Sequence, residues 1–403
     1  GCEMVMLNER LSEKELDYQL TDSEAAFLLV DEELQKRIDF DNKILFSEVR
    51  NAPAIEFVPA REWKKDRTIS IMYTSGTTGY PKGVRQTAEN HFSSAVSSAL
   101  NIGISPEDVW LCVMPLFHIS GFSILMRSLV YGMGVQLHPK FDAESCANEL
   151  GAGTVTHMSV VAVTLERVLN VLETELMDVS PKFKSMLAGG GPVPVSYIER
   201  AEKFGISVLQ TYGMTETSSQ TTTLQPADAK RKIGSSGKPL FLYQIKIGDD
   251  AAVLEKGEIQ IRGPQVTPGY IGKYAEREVQ EEGWFPTGDI GYVDEEGFLF
   301  VVDRRSDLIV SGGENIYPAE IEKVLLGHPA IREVGVCGMA DQQWGEVPAA
   351  FVVLNEGVSM ESLREFLKEQ IAGYKIPKLI REVEALPRNA SNKVLRRELK
   401  SWL

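Results

Sequence analysis

The segment from Tyr73 to Gly83 combines glycines, hydroxyl side chains and a lysine, and it follows a short apolar run. Glycines let backbone N–H groups approach an anion closely, and the Thr and Ser hydroxyls add further donors. Lys82 supplies a mobile positive charge. The segment is not a Walker loop, because Pro81, Lys82 and Gly83 stand where that motif has Gly-Lys-Ser/Thr. These residue types predict a triphosphate site, and a flexible surface loop is the alternative.

A second polar segment runs from Thr211 to Glu216 and follows another short apolar run. Mg²⁺ prefers one or two carboxylates together with phosphate oxygens, so Glu216 suits a metal that accompanies a triphosphate. A Thr-Glu pair in a loop would, by itself, more often cap a helix. The presence of both segments in one chain favours the functional interpretation.

The two segments resemble the phosphate-binding signatures of the acyl-adenylate-forming enzymes, a superfamily of acyl- and aryl-CoA ligases, luciferases and peptide-synthetase adenylation domains. The resemblance implies that Thr215 touches the α-phosphate, that Glu216 holds Mg²⁺ and that Tyr212 stacks on adenine. It also implies ATP or AMP binding by Thr74, Ser75, Gly76, Thr77, Thr78, Gly79, Lys82 and Gly213.

Three further places resemble the nucleotide site of this superfamily. Gly189, Gly190 and Gly191 end an apolar run, and bare backbone there can lie against a flat purine, although a tight turn without a ligand is the alternative. Asp289 ends a Thr-Gly-Asp sequence, and a carboxylate is a natural acceptor for the two hydroxyls of a ribose. Arg304 resembles the arginine that contacts ribose or phosphate.

The segment around Lys393 resembles the superfamily motif that carries the lysine essential for adenylation. A lone lysine near a terminus is usually solvated, so this assignment depends on the motif. One ammonium group on the acid and the α-phosphate would offset the charge that builds during attack on phosphorus. The sequence has Asn392 where glycine is usual, and Asn tolerates a left-handed backbone better than other non-glycine residues.

The resemblance also implies a small domain that turns between two orientations about Ser306, a position where Lys or Asp is usual. A hinge needs only to absorb a change in dihedral angles, so we expect this substitution to be tolerated. The face implied for thioester formation comprises Gly312, Gly313, Glu314 and Asn315. A glycine turn that precedes the next helix is the structural interpretation of the same residues, and we expect both to apply.

The substrate side corresponds to the segment that holds His118, Ser120 and Gly121. Relatives that activate amino acids have Asp at the position of His118, whereas CoA ligases have His, so the resemblance assigns His118 to orienting the acid; a satisfied semi-buried histidine is the alternative. Arg127 interrupts an apolar helix and must meet a carboxylate of the protein or of a ligand. This run is most similar to superfamily members that ligate CoA to 2-succinylbenzoate in menaquinone biosynthesis, and a second substrate carboxylate would explain Arg127.

The composition restricts the partners and the location. The 403 residues carry a net charge of -15, which argues against nucleic acid and anionic membranes as general partners. Cys2, Cys112, Cys146 and Cys337 show no metal-ligand spacing, so neither a zinc site nor a disulfide framework is indicated, and we expect a cytoplasmic location. The longest apolar run, 119–130, is too short to span a membrane. The sequence leaves open whether identical copies assemble.

The pattern between 68 and 212 alternates short β-rich runs with longer helical ones, which predicts a mainly parallel α/β sheet covered on both faces, with strands at 69–73, 109–113, 134–137, 155–158, 185–188 and 207–210. The polar segments fall at carboxyl ends of its strands, where such sheets bind ligands. A smaller β-rich part and a compact α+β segment, with an amphipathic helix at 360–370, follow. We predict an acyl-CoA synthetase-like fold with an N-terminal domain of 1–303, a hinge at 304–307 and a mobile C-terminal domain of 308–403. The opening residues resemble an internal family segment, so we expect a leading region to be missing.

The sequence thus predicts an enzyme that uses ATP, Mg²⁺ and coenzyme A to convert a small carboxylic acid, 2-succinylbenzoate, first into an acyl-adenylate and then into a thioester. Three alternatives stay open. They are a CoA ligase for another aryl or fatty acid, an adenylation domain that serves a carrier protein, and a non-catalytic nucleotide-binding protein.

Overall fold

The structure is a computed structural model. It describes residues 2–56, 58, 62–74, 80–191, 193–248, 251–304, 307–311, 314–342, 344–355, 357–371, 373–389 and 393–403, with the backbone alone for 304, 310, 314 and 315. Several predicted site residues therefore lie outside the described residues, namely Ser75, Gly76, Thr77, Thr78, Gly79, Ser306, Gly312, Gly313 and Asn392.

The helices of the described residues are α1 (Glu13–Asp22), α2 (Phe46–Asn51), α3 (Ala88–Ile102), α4 (Ile119–Tyr131), α5 (Ala143–Ala152), α6 (Ala162–Thr174), α7 (Val195–Lys203), α8 (Pro318–Leu326), α9 (Met360–Gln370) and α10 (Arg396–Lys400). The strands are β1 (Met4–Met6), β2 (Leu28–Val30), β3 (Lys43–Leu45), β4 (Thr68–Thr74), β5 (Lys82–Thr87), β6 (Val109–Cys112), β7 (Gly134–Leu137), β8 (His157–Val160), β9 (Ser185–Ala188), β10 (Ser207–Tyr212), β11 (Thr222–Thr223), β12 (Lys238–Pro239), β13 (Gln244–Ile247), β14 (Gly257–Arg262), β15 (Phe285–Val293), β16 (Leu299–Arg304), β17 (Ile309–Ser311), β18 (Glu314–Ile316), β19 (Ile331–Asp341), β20 (Gly345–Leu354) and β21 (Leu379–Glu382).

A seven-stranded sheet with the order β12-β11-β10-β9-β8-β6-β7 forms the centre of the chain up to residue 303, which we call the large part. Strands β10, β9, β8, β6 and β7 are parallel, and the short β11 and β12 join antiparallel at one edge. Alternate residues of β6 enter different cores: Leu111 packs with α5, α6 and α7, whereas Trp110 and Cys112 pack with α3 and α4. Because successive side chains of a strand point to opposite faces, helices cover the sheet on both sides, as predicted.

The strand before the phosphate segment does not belong to this sheet. Strand β4 lies between β1 and β5 in a separate three-stranded sheet, and β5 runs antiparallel to it. The prediction that the phosphate segment follows a strand of the large parallel sheet is therefore wrong. Strand β5 was not predicted, because its residues Val84, Arg85 and Gln86 alternate in type too briefly to be distinguished from a loop.

Two further sheets follow in the order predicted. Strands β13, β14, β15 and β16 form an antiparallel four-stranded sheet, which is the predicted β-rich part. After it, β18, β17, β20 and β19 form a sheet to which β21 adds alongside β20, and α8 and α9 pack on it through Ile321, Leu325, Leu363 and Leu367. The change of sheet between β16 and β17 supports the proposed division at 304–307.

Local capping explains where several helices begin. The Ser12 hydroxyl accepts from the Glu15 N–H, and the Glu15 carboxylate accepts from the Ser12 N–H, which forms a capping box at the start of α1. Thr87 caps α3 in the same way through Asn90. Within the described residues, no helix is long and apolar enough to cross a membrane.

Candidate active site

The β4–β5 hairpin positions the two described ends of the phosphate segment. Thr74 and Lys82 are cross-strand partners, so they lie side by side at the mouth of the loop that connects them. The hairpin is held from outside by Asp22, whose carboxylate accepts from the Tyr73 hydroxyl at 2.9 Å and from the Lys273 N–H at 2.7 Å. The end of α1 therefore ties the phosphate segment to the turn Gly272–Tyr274.

The Lys82 ammonium lies over two tyrosine rings. Its Nζ is 5.3 Å from the centre of the Tyr270 ring and 5.7 Å from that of Tyr274. Burial lowers the pKa of Lys82, the Arg277 charge lowers it further, and Glu216 acts in the opposite direction. The two aromatic faces attract the Lys82 ammonium group but do not neutralise its charge. The ammonium group can therefore still bind phosphate oxygens.

Glu216 meets the phosphate segment through Tyr270. The Tyr270 hydroxyl donates to Glu216 Oε1 at 3.3 Å, and burial followed by the Glu216 charge raises the pKa of Tyr270. The backbone around Glu216 is also tied down, since Thr267 N–H donates to the Glu216 carbonyl and Gln86 Nε2 donates to the Thr215 carbonyl. The two predicted phosphate segments thus converge on one place.

The metal requirement can be tested on these side chains. Among the described residues, no three His, Cys, Asp or Glu side chains are grouped as a metal cage. A single carboxylate, that of Glu216, beside a cation-bearing phosphate loop is the donor set that Mg²⁺ uses when phosphate oxygens and water complete its shell. Glu216 therefore fits the metal that accompanies ATP.

The turn after Tyr212 is tightly wound. A Cβ atom at Gly213 would overlap the Ser219 carbonyl oxygen, so only glycine fits. Ser218 and Ser219 have φ values of 51° and 102°, a conformation that is costly for residues with side chains. Gly213 was predicted as a nucleotide contact, and the structure gives it a packing role that holds the Thr215–Glu216 turn.

The residues predicted for the nucleoside also come together. The Tyr212 hydroxyl donates to Asp289 Oδ2 at 2.8 Å, which joins the end of β10 to β15. Asp289 is the cross-strand partner of Arg304, although the Arg304 side chain lies outside the description. Gly189 follows β9, the parallel neighbour of β10, and a Cβ there would lie 3.0 Å from Thr211 Cγ2.

The other two glycines of that turn differ from Gly189. Gly190 has a left-handed backbone with φ 80°, which favours glycine for conformational reasons alone. At Gly191 an added Cβ would meet no atom of the described residues within 4 Å, so this position borders space that the described residues leave open. Room of this kind is what a bound purine would need.

On the substrate side, His118 precedes α4 and is half-buried. Burial, with a smaller effect of Arg10, lowers the pKa of His118 to about 4, so its imidazole is neutral at pH 7. Ser120 lies half-buried in the first turn of α4. A Cβ at Gly121 would overlap the carbonyl oxygens of Met114 and Pro115, so glycine is needed here for the close approach of two backbones.

Arg127 is the most unusual side chain of α4, because it is 1% exposed. Its Nη2 donates to Gln220 Oε1 at 2.7 Å and to Ser219 Oγ at 3.3 Å, and the guanidinium lies 5.1 Å from the centre of the Trp110 ring. Its Nε has no hydrogen-bond partner among the described atoms, and no described carboxylate lies within ion-pair distance of it. Arg127 was predicted to meet a carboxylate of the protein or of a ligand. Among the described residues, no carboxylate of the protein fills this role.

Lys393 lies in a turn near the C-terminus and is exposed. Its N–H donates to Asn389 Oδ1 at 2.9 Å, and its carbonyl accepts from the Asn389 N–H. Residues Glu314 and Asn315 lie in β18, with side chains outside the description. The roles assigned to these residues stay predictions.

Gln86, Thr267 and Tyr270 were not predicted from the sequence, although they hold the Thr215–Glu216 turn in place. Tyr270 could have been noticed from its sequence, since Thr267 to Tyr270 reads Thr-Pro-Gly-Tyr, a turn with polar ends. Gln86 gave no signal, because its role depends on β5 and the turn after β10 meeting in space.

Comparison with known proteins agrees with this geometry. The family model for the AMP-binding enzyme matches residues 1–271, and that for the AMP-binding enzyme C-terminal domain matches 320–393. A 2-succinylbenzoate--CoA ligase from Bacillus cereus is 49% identical, over 99% of this chain and 83% of that protein.

Solved structures of o-succinylbenzoate CoA synthetase from Bacillus subtilis are similar as well. The complex with the acyl-adenylate intermediate OSB-AMP is 46% identical and has a TM-score of 0.89, with coverage of 99% of this chain and 83% of that one. The complex with ATP and magnesium ion also has a TM-score of 0.89, at 45% identity and with coverage of 98% and 83%. A double mutant bound with its product analogue OSB-NCoA is 46% identical, with a TM-score of 0.69 and coverage of 98% and 82%. The chain belongs to the AMP-binding enzyme family.

Proposed function

We propose that this chain is an AMP-forming acid–thiol ligase that joins coenzyme A to 2-succinylbenzoate, a step of menaquinone biosynthesis. The observation that carries the proposal is the meeting of Lys82, Tyr270 and Glu216 at one place, in a chain that is 49% identical to a 2-succinylbenzoate--CoA ligase. This meeting joins a phosphate-binding cation to a metal-binding carboxylate, which adenylate formation needs together.

In the first half-reaction, an oxygen of the substrate carboxylate attacks the α-phosphorus of ATP, and the bond from that phosphorus to the bridging oxygen breaks, which releases pyrophosphate. Lys82 holds the departing phosphates, and Thr215 contacts the α-phosphate. Mg²⁺ held by Glu216 would neutralise phosphate charge when bound. Lys393 brings a second cation to the attacking carboxylate and the α-phosphate.

The nucleoside end of ATP fits the second cluster. Tyr212 stacks on adenine beside Gly189, Gly190 and Gly191, while Asp289 accepts from the ribose hydroxyls. The hydrogen bond from Tyr212 to Asp289 supports this assignment, because it fixes the aromatic ring relative to the carboxylate. A carboxylate is a natural acceptor for the two hydroxyls of a ribose.

The acid is selected by His118 and Arg127. A neutral His118 can donate one hydrogen bond to the reacting carboxylate without competing for its charge. The buried Arg127, held by Gln220 and Ser219, supplies a positive charge for the second carboxylate of the acid. Ser219 lies in the loop that continues from Glu216, so the acid pocket and the phosphate site share one loop.

In the second half-reaction, the CoA thiolate attacks the acyl carbon of the adenylate, and AMP leaves with the electrons of the acyl–oxygen bond. We propose that the small domain turns about Ser306 between the steps, which withdraws Lys393 and brings the segment Gly312–Asn315 to the acid. One site then serves both reactions in sequence.

The cysteines support the proposed cytoplasmic location. Cys112, Cys146 and Cys337 are buried free thiols, and Cys2 is an exposed one. Burial raises the pKa of Cys112 to about 11, so its thiol is unreactive at pH 7.

The test is pyrophosphate release by the purified protein with MgATP and one of three acids, 2-succinylbenzoate, benzoate or decanoate, with and without CoA. Of the three acids, we expect only 2-succinylbenzoate to form an adenylate. We expect sustained turnover of this acid only when CoA is added. A preference for benzoate or decanoate would keep the mechanism but reject the substrate. ATP binding without acid-dependent pyrophosphate release would instead identify a non-catalytic nucleotide-binding protein.

Lys393→Ala tests the adenylation lysine in the same assay. We expect about a 100-fold loss of adenylate formation, the size found when a charge-stabilising group is removed from an active site. Lys400→Ala is the matched control, since Lys400 is also on the C-terminal segment and pairs with Glu346 at 3.4 Å. Equal losses in the two variants would reject the role of Lys393.

A further inference from the structure

A cluster of charged side chains surrounds Arg396 next to the proposed hinge. Its guanidinium contacts three carboxylates, those of Asp303 at 2.8 Å, Asp307 at 2.8 Å and Glu322 at 2.7 Å. Burial by itself lowers the pKa of Arg396, but Glu322 and Asp303 outweigh this effect and raise it. The cluster therefore holds a permanent cation in a largely buried position.

Asp303 differs from the other two carboxylates because it precedes the proposed hinge at 304–307. Its Oδ1 accepts from Arg396, and its Oδ2 accepts from the Ala319 N–H in the first turn of α8 at 2.7 Å. Asp303 itself lies near the end of β16, in the four-stranded antiparallel sheet that precedes the proposed hinge, and is 6% exposed. One short side chain of the large part thus holds the beginning of α8 and the beginning of α10.

The proposed hinge lies between these partners in sequence. Asp303 precedes 304–307, whereas Ala319 and Arg396 follow it. A turn of the small domain about the hinge would carry α8 and α10 away from β16, so both Asp303 contacts would have to open. The contact of Glu322 with Arg396 joins α8 to α10 and would travel with them unbroken.

The orientation of the small domain relative to the large part can be inferred by comparison with solved structures. The TM-score is 0.89 with the ATP and acyl-adenylate complexes of the Bacillus subtilis enzyme and 0.69 with the complex of its product analogue. Identity is 45–46% in all three comparisons. The arrangement with the Asp303 contacts is therefore the one closer to the ATP and adenylate complexes.

We propose that Asp303 is a positioning residue that holds the small domain in the orientation for adenylate formation, and that its contacts with Arg396 and Ala319 open before thioester formation. Arg396 lies shortly after Lys393 in sequence, so holding α10 also holds the segment with the adenylation lysine. This inference rests on the proposed function, and it adds a group that touches neither ATP nor the acid.

The test measures the two half-reactions separately in Asp303→Asn and Glu322→Gln. Adenylate formation is followed as single-turnover pyrophosphate release without CoA, and thioester formation as CoA consumption from preformed adenylate. We expect Asp303→Asn to slow adenylate formation about tenfold and to leave the thioester step unchanged or faster. The reason is that the orientation for adenylate formation loses one charged pair. Glu322→Gln removes a charged pair with the same Arg396 that lies within the small domain, so it should leave the ratio of the two rates within about twofold.

Two outcomes would overturn the inference. One is an equal slowing of both half-reactions by Asp303→Asn. The other is that Glu322→Gln also slows adenylate formation without slowing thioester formation. Thermal unfolding shows whether Asp303→Asn folds, and if it does not, Arg396→Lys is measured in its place, with a split in the same direction expected. The unmodified protein is the control for the proposed function. If it shows no acid-dependent pyrophosphate release, the proposed function is rejected, whatever the variants show.

Discussion

Arg127 shows how much one buried charge says about a ligand. Its described hydrogen-bond partners, Gln220 and Ser219, are neutral, so burial lowers its pKa without a carboxylate nearby to compensate. A guanidinium in such a place is unfavourable until an anion arrives. A dicarboxylic acid would supply that anion, whereas an acid with one carboxylate would use it for the reaction.

Replacing Arg127 by Met should therefore change selectivity. We expect kcat/KM for 2-succinylbenzoate to fall roughly 10- to 100-fold, because a charged hydrogen bond is lost, while benzoate is affected much less. The ratio of the two acids is the measurement, since a loss of stability would lower both. Arg167→Met is the control, because Arg167 is exposed and lies over the Phe141 ring. An unchanged ratio in Arg127→Met would exclude contact with the second carboxylate.

Tyr270 lies between Lys82 and Glu216, the proposed phosphate and Mg²⁺ ligands, and its hydroxyl can be removed without its ring. In Tyr270→Phe the ring under Lys82 stays and the bond to Glu216 is lost, so we expect a higher Mg²⁺ requirement and roughly a tenfold loss of adenylate formation. Tyr274→Phe is the matched control, since its ring also faces Lys82. Identical Mg²⁺ dependence in both variants would show that the Glu216 contact is unimportant.

At the scale of elements, the turn between β10 and β11 depends on Gly213. We expect Gly213→Ala to lower the free energy of unfolding by about 3 kcal/mol and to abolish adenylate formation, because Cβ would push the Ser219 carbonyl and move the Thr215–Glu216 turn. Gly191→Ala is the control for stability, since its Cβ meets nothing within 4 Å. Chemical denaturation of both variants decides the matter, and equal stability would mean that the turn can relax.

The elements were largely predictable because their signals are local. The strands Gly134–Leu137 and Ser185–Ala188 and the helix Met360–Gln370 have the predicted bounds. The strand predicted at 155–158 begins instead at His157, two residues later, although Val155 is itself buried. Strand β5 was missed because a short mixed-polarity run acquires strand structure only from its pairing with β4.

At the scale of the whole molecule, buried neutral histidines couple folding to pH. Burial lowers the pKa of His91, His118 and His157 to about 4, with smaller contributions from Arg10 at His118 and from Asp108, in the opposite direction, at His157. Between pH 6.5 and 4 the unfolded chain binds protons at these side chains and the folded chain does not. Stability from these groups is therefore full above about pH 6.5 and falls as the pH decreases toward 4.

His91 offers the cleanest test, because burial alone causes its shift and its Nε2 lies 2.8 Å from Ser70 Oγ in the core. We expect the free energy of unfolding of His91→Asn to fall by about 2 kcal/mol less between pH 7 and pH 5 than that of the unmodified protein. Urea denaturation at the two pH values gives the comparison. The half-buried His328 serves as the control position, and a pH dependence unaltered by His91→Asn would contradict the prediction.

The family, the alternating α/β pattern and the segments proposed for phosphate, metal and adenylation chemistry could be predicted from the sequence, because residue types at fixed spacing are local properties. Only the tertiary structure decided that Tyr270 joins Lys82 to Glu216, that Arg127 is buried among neutral partners and that Asp303 contacts Arg396. Each of these depends on residues far apart in the chain, and their approach is set by how sheets and helices pack rather than by any short motif.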